Sequence, residues 1–262
     1  MLQTNELVNY RTFKDPYQIE KDYLQDLVLY IVYSYSDPEM IFKGGTALSK
    51  FYYSDRFSED LDFTVYHNQK PAKEKIKQLT DKIIADMPYK TTYGEAPSAN
   101  KFGTVSAIFA VEGPRYSGKI STIQYIRFEI NTTASLLYKE VAMPRAPVYA
   151  DAGNYVALVM DKVEILSEKI RAIVSVGRKH KERDLYDIYY LLSKKTEINK
   201  KIISAKLSES GLMLQKGYIS KNIAAVGSTW KYLEPLVQHR LESHEYVSQT
   251  VSEILKKNDI LL

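Results

Sequence analysis

Asp60 and Asp62 stand two residues apart in the stretch "SEDLDFTVY". The β-branched and aromatic residues around them mark a strand. Side chains of a strand alternate faces, so both carboxylates point one way while Leu61 and Phe63 point the other. Two carboxylates held side by side repel each other unless a cation lies between them. Hard divalent cations such as Mg2+ or Mn2+ take oxygen ligands, commonly one or two carboxylates together with substrate phosphates. The pair therefore points to phosphoryl or nucleotidyl transfer, in which cations clamp the attacking and leaving oxygens. Taken alone, such a pair is equally the solvated face of a strand.

Shortly before it runs Gly44-Gly45-Thr46, between the apolar "MIF" and the helix-like "TALSKFY". A glycine turn between strand and helix lets backbone N–H groups approach a phosphate, and the helix N-terminus adds favourable potential for an anion. Thr46 offers a hydroxyl to the same phosphates. A third carboxylate is available in "TIQYIRFEI", where Ile126, Phe128 and Ile130 share one face and Arg127 and Glu129 the other. If this strand neighbours the Asp60–Asp62 strand, Glu129 completes a metal-binding group. The competing reading is a cross-strand ion pair between Arg127 and a carboxylate.

The second half contributes "EILSEKIRAIVSVGRKHKERDLYDIYYLL". Lys162 and Lys169 lie seven apart on a predicted helix and so near one face. Arg178, Lys179, His180, Lys181 and Arg183 form a basic cluster, and Asp184 and Asp187 follow at helical i, i+3 spacing. Lys169 is a candidate for nucleotide phosphates. An aspartate of the second helix would orient that lysine, contact a ribose or serve as a base. The basic cluster suits an RNA backbone, although a charge run is equally a solvated helix surface. His67 and His180 stand at no metal-ligand spacing and read as surface or loop residues, and Trp230 reads as core.

The elements that must position these groups follow from periodicity. Residues 17–35 carry Ile19, Tyr23, Leu27, Ile31 and Tyr35 at helical spacing, ended by a turn at Pro38. "MIF" and "LDFTVY" read as strands, and "PAKEKIKQLTDKII" as a helix entered at Pro71. "TVSAIFAVEG" and "TIQYIRFEI" read as strands joined by the hairpin loop "GPRYSGK". The proline-bearing "MPRAPVYADAG" reads as irregular and as a domain boundary. From about residue 155 the pattern turns helical, with Val159, Val163, Leu166, Ile170 and Ile173 on one face. The expected fold is α+β, with a mixed-sheet domain over residues 1–150 and a helical domain over 151–262.

The chain has 262 residues and no cysteine, which excludes disulfides, thiolate metal sites and a cysteine nucleophile. Its net charge of +4 is compatible with a polyanionic partner. The 22 tyrosines either stack on bases or fill amphipathic positions, and their spacing favours the second use. No apolar run reaches membrane-spanning length and the N-terminus lacks an apolar signal core, so a cytoplasmic protein without a membrane partner is expected.

Together, "KGGTALSKFY", "RFSEDLDF" and "EKIRAIVSVGRKHKERDLYDIYYLL" resemble the AbiEii family, nucleotidyltransferase-like toxins of abortive-infection, type IV-like toxin–antitoxin systems. The resemblance rests on about a fifth of the chain. It implies a nucleotidyltransferase-like α/β domain followed by a helical one, an NTP substrate and a cognate antitoxin encoded nearby. It assigns Gly44, Gly45 and Thr46 to the triphosphate, Asp60 and Asp62 to the metal, and Lys169 to phosphate. Arg183, Asp184 and Asp187 match its Arg-Asp-x-x-Asp element, in which one aspartate is catalytic; Asp184 is slightly preferred. Glu129 rests on the strand argument alone. The implied reaction is transfer of NMP to an RNA acceptor such as the tRNA 3′ end. A protein nucleotidylase and a nucleotide- or RNA-binding module without turnover share the same motifs.

Overall fold

The computed structural model describes residues 1–35, 40–66, 73–95, 103–133, 136–213 and 217–260. The expected turn at Pro38, the helix entry at Pro71 and His67 lie outside them. The fold is α+β, built on a seven-stranded mixed sheet. Its strands are β1 (Ile41–Lys43), β2 (Leu61–Thr64), β3 (Thr91–Glu95), β4 (Thr104–Val111), β5 (Gln124–Asn131), β6 (Glu140–Arg145) and β7 (Tyr155–Met160), in the order β3-β4-β5-β2-β1-β7-β6. The β1–β7 and β2–β5 pairs are parallel and the others antiparallel. The described helices are α1 (Thr4–Leu7), α2 (Pro16–Ser34), α3 (Gly44–Tyr52), α4 (Lys73–Asp86), α5 (Lys162–Val174), α6 (Lys181–Ser193), α7 (Lys200–Glu209), α8 (Tyr218–Ala225) and α9 (His244–Lys257). Among the described residues no helix is long and apolar enough to cross a membrane.

The chain divides into two compact units. The first comprises Met1–Ala47, Phe57–Leu136 and Glu140–Met160, and the second Leu48–Arg56, Leu137–Lys139 and Asp161–Leu262. In the first unit, α2 packs against β5, β7 and α4. Strict alternation in β5 buries Ile126, Phe128 and Ile130 and leaves Tyr125 and Arg127 exposed. Phe42, Phe63, Phe128 and Phe109 form a run of ring contacts across β1, β2, β5 and β4, at centroid separations of 5.1, 4.8 and 5.9 Å. Burying each ring contributes roughly 1.5–3 kcal/mol. That spine fixes the strand register, and with it the side chains on the opposite face.

Two segments differ from the sequence expectation. Residues 155–160 are a strand, not the start of a helix. Tyr155, Ala157 and Val159 alternate into the core while Val156 is exposed. The helix starts only at Lys162, where the Asp161 carboxylate caps it by accepting from the Val163 N–H at 2.8 Å. The segment expected to be irregular begins as strand β6, which runs through Pro144 to Arg145 at the sheet edge, where a missing N–H is tolerated. Arg145 then pairs with the fully buried Asp26 of α2. Tyr155 donates to Asp26 at 3.0 Å, Tyr149 to Asp22 at 2.6 Å and Tyr23 to Asp151 at 2.8 Å. Tyr149 and Tyr155 therefore satisfy buried carboxylates, and burial together with these neighbours pushes their hydroxyls far above the usual phenol range.

In the second unit α5 packs against α6, α7 and α8, and α6 against α9. Val163, Leu166, Ile170 and Ile173 form the buried stripe of α5, and Trp230 is buried as expected.

Candidate functional site

The first unit gathers the acidic group. Parallel pairing of β2 with β5 sets Asp62 opposite Glu129, so the two side chains leave the same face of adjacent strands. The strand condition attached to Glu129 therefore holds. Asp60 lies just before β2, in phase with Asp62. Its carboxyl is held above the ordinary range, first by burial; Glu59 and Glu129 add to the rise, and Arg127 and Lys21 oppose it. Arg127 Nε lies 3.8 Å from Asp60 Oδ1, and an Arg127 terminal nitrogen lies 3.4 Å from Glu129 Oε1. Ser106 Oγ donates to the same Glu129 oxygen at 3.2 Å. Among the described residues no three His, Asp or Glu side chains stand close enough together to hold a metal ion. The donor chemistry, carboxylate oxygens of Asp60 and Asp62 with Glu129 on the adjacent strand, is of the kind that a hard divalent cation takes together with substrate phosphates.

The glycine run packs against this group. Gly44 has φ +78°, a conformation unfavourable for other residues, and a Cβ placed on it would lie 2.4 Å from Asp62 Oδ2. Gly44 is thus the space that Asp62 occupies. Gly45 is buried at the start of α3. The buried Thr46 hydroxyl donates to the Asp60 carbonyl at 2.5 Å, tying the helix start to the aspartate segment. Replacing Gly44 with alanine is expected to cost about 1–3 kcal/mol through backbone strain. It also displaces the Asp62 carboxylate, so denaturant unfolding and any catalytic assay should both register the change.

The second unit brings Lys169, Asp184 and Asp187 together. Lys169 Nζ, on α5, lies 3.1 Å from Asp184 Oδ1 and 2.7 Å from Asp187 Oδ2, both on α6. Arg56 completes the group, gripping Asp187 with Nε at 2.8 Å and a terminal nitrogen at 2.9 Å. Arg178 forks onto Asp184 at 2.9 and 3.2 Å. The carboxylates of Asp184 and Asp187 are 0% and 1% exposed, so neither is open to solvent. Burial works to lower the pKa values of Arg56 and Lys169, but Asp187 and Asp184 outweigh it and hold both above their ordinary values. Burial likewise works to raise that of Asp187, and Arg56 and Lys169 outweigh it and hold it low.

This depression makes stability pH-dependent. A carboxyl that is more acidic folded than unfolded contributes stability that is complete above its unfolded value, 3.8, and lost as pH falls through its folded value. The unfolding free energy is expected to decline as pH drops below about 4, which denaturant titrations at stepped pH would follow.

Sequence reasoning placed Lys169, Asp184 and Asp187 correctly in one half but missed Arg56. Its partner lies 131 residues away, and no local spacing reports that distance. Arg183 is half-buried on α6. In the basic cluster Arg178, Lys179 and His180 are exposed. Lys181 Nζ donates to Asn222 Oδ1 at 2.7 Å, and His180 Nδ1 lies 3.1 Å from Glu182 Oε1.

The family model described as nucleotidyl transferase AbiEii toxin, type IV TA system, matches residues 27–248. The chain belongs to the AbiEii family. The match includes the glycine run, Arg56, Asp60, Asp62, Glu129 and the whole Lys169–Asp187 segment. No curated protein matches. Among solved structures, MenT4, a nucleotidyltransferase toxin from Mycobacterium tuberculosis H37Rv, is similar at a TM-score of 0.63 and 17% identity, covering 97% of this chain and 88% of its own. JHP933 from Helicobacter pylori is similar at a TM-score of 0.59 and 17% identity, covering 94% and 96%. At such identities the likeness is one of fold, and it agrees with the AbiEii assignment.

Proposed function

We propose that this AbiEii-family chain transfers NMP from an NTP to an RNA acceptor such as the tRNA 3′ end, with a divalent cation, Mg2+ or Mn2+, and that it acts as a toxin held in check by a cognate antitoxin. The observation that carries the reading is the aligned carboxylate group of the first unit, with Asp62 packed onto Gly44. Asp60 and Asp62 would hold the cation together with the substrate phosphates, with Glu129 beside them on the adjacent strand. When bound, the cation supplies charge for the phosphoryl oxygens. The Gly44–Gly45 backbone is assigned to the triphosphate. Thr46, whose hydroxyl is engaged with the Asp60 carbonyl, serves by holding that segment.

In the second unit Lys169 is assigned to phosphate, as the family resemblance implies. Burial of Asp184 and Asp187 favours a positioning role for both, fixing the lysine amino group between them, over the role of general base. A protein acceptor is the second reading, and the exposed basic residues at the head of α6 separate the two. Lys179→Glu places an acid in that cluster without touching Arg178 or Lys181. Under the RNA reading it should weaken transfer several-fold, with a shallower salt dependence. Unchanged transfer together with labelling of a protein would favour the protein nucleotidylase.

A further inference from the structure

We propose that Arg127 is a resident counter-ion for the acidic group of the first unit, displaced when the divalent cation binds. This inference rests on the reading of Asp60 and Asp62, with Glu129 beside them, as the cation site. Arg127 and Glu129 leave the same face of β5, and the guanidinium reaches in two directions, 3.8 Å from Asp60 Oδ1 and 3.4 Å from Glu129 Oε1. Both separations are long for a charge-assisted contact. The Arg127 and Asp60 side chains are also 44% and 48% exposed. Arg56 and Asp187 show the contrast: the same two ion types, in contact at 2.8 Å and almost wholly buried. One pair is a permanent fixture of the second unit. The other is loose, wet and divided between two acids.

A guanidinium brings one delocalised charge, and hydrogen-bond geometry limits its approach. A divalent cation brings two charges and coordinates carboxylate oxygen far more closely. The divalent cation competes for the same carboxylate charge, and its closer approach weakens the hold of both acids on Arg127 and releases it from at least one. Once released, the guanidinium remains on the face that carries Asp62 and Glu129, with a fork suited to a phosphate. Nucleotide phosphates then give it a new anion. Cation and nucleotide binding become positively coupled, and the acidic group keeps a low affinity for the cation alone.

The test is Mn2+ binding to the full chain without nucleotide, read from the electron paramagnetic resonance of free Mn2+. Arg127→Gln is expected to bind Mn2+ about tenfold more tightly than the wild type, as removal of one nearby positive charge implies. Arg127→Lys, which keeps the charge, is expected to fall between the two. A non-hydrolysable NTP analogue should tighten Mn2+ binding more in the wild type than in Arg127→Gln. If the wild type binds Mn2+ and Arg127→Gln binds it equally or more weakly, the counter-ion role is overturned while the cation site stands. If the wild type does not bind Mn2+ with or without the analogue, the cation reading falls and this inference falls with it.

Discussion

Replacing Asp60 with alanine should lower nucleotidyl transfer by about a thousandfold, the scale on which removal of a charge-stabilising group acts in an enzyme. The fold should survive. The Asp60 side chain is half-exposed, and its ion-pair contact with Arg127 is long, at 3.8 Å. Its carboxyl is already held above the ordinary range by burial and by Glu59 and Glu129. Removing it relieves like-charge repulsion at the cost of a pairing worth about 0–1 kcal/mol. The denaturation midpoint should therefore stay level or rise slightly. Activity lost with stability kept is the signature of a residue that serves chemistry. Full activity in the variant would remove Asp60 from the proposed cation site, whereas a collapse of both quantities would mean that the acidic group holds the fold together.

Asp187→Ala should behave in the opposite way. Asp187 is the shared anion of Arg56 and Lys169, all three nearly or wholly buried. Removing it leaves two buried cations short of a partner, and breaking such a pair typically costs about 3–5 kcal/mol. That is a large share of a domain's stability, so partial unfolding at moderate temperature is expected. The comparison is Arg178→Ala, which removes a half-exposed partner of Asp184 and should cost about 1 kcal/mol or less. A double-variant cycle of Arg56→Ala with Asp187→Ala should show strong coupling, the pair together costing much less than the sum of the single changes. Additive costs would contradict the shared burial of the two charges.

The contrast explains what could be read from the sequence. Period-two alternation in "TIQYIRFEI" and "LDFTVY" gave the strands, and their apolar faces gave the side on which Asp62 and Glu129 stand. The glycine run was expected to admit a phosphate, and in the structure the group lying against Gly44 is the Asp62 carboxylate, a partner that the local pattern does not encode. The β1–β7 pairing joins Phe42 to Val159 across more than a hundred residues, and no local pattern encodes such a partner. For that reason β7 resembled the beginning of the helix that follows it. The β6 segment misled for a different reason. Its two prolines read as breakers, while the segment is held by Arg145 and Tyr149 reaching the acids of α2. The i, i+3 spacing set Asp184 and Asp187 on one face of a helix, and in the structure both contact Lys169. Which of the two is catalytic was left open in the sequence, with Asp184 slightly preferred, and in the structure both are buried against the same amino group.

The central claim is nucleotidyl transfer to RNA. It is tested most directly by incubating the purified full chain with each of the four α-labelled NTPs and Mg2+, using total RNA and total protein as acceptors, beside the Asp60→Ala chain. The predicted result is label from one preferred NTP in a tRNA-sized band, absent with the variant. Label confined to protein, or NTP bound in the presence of both acceptors with no label transferred, would contradict it.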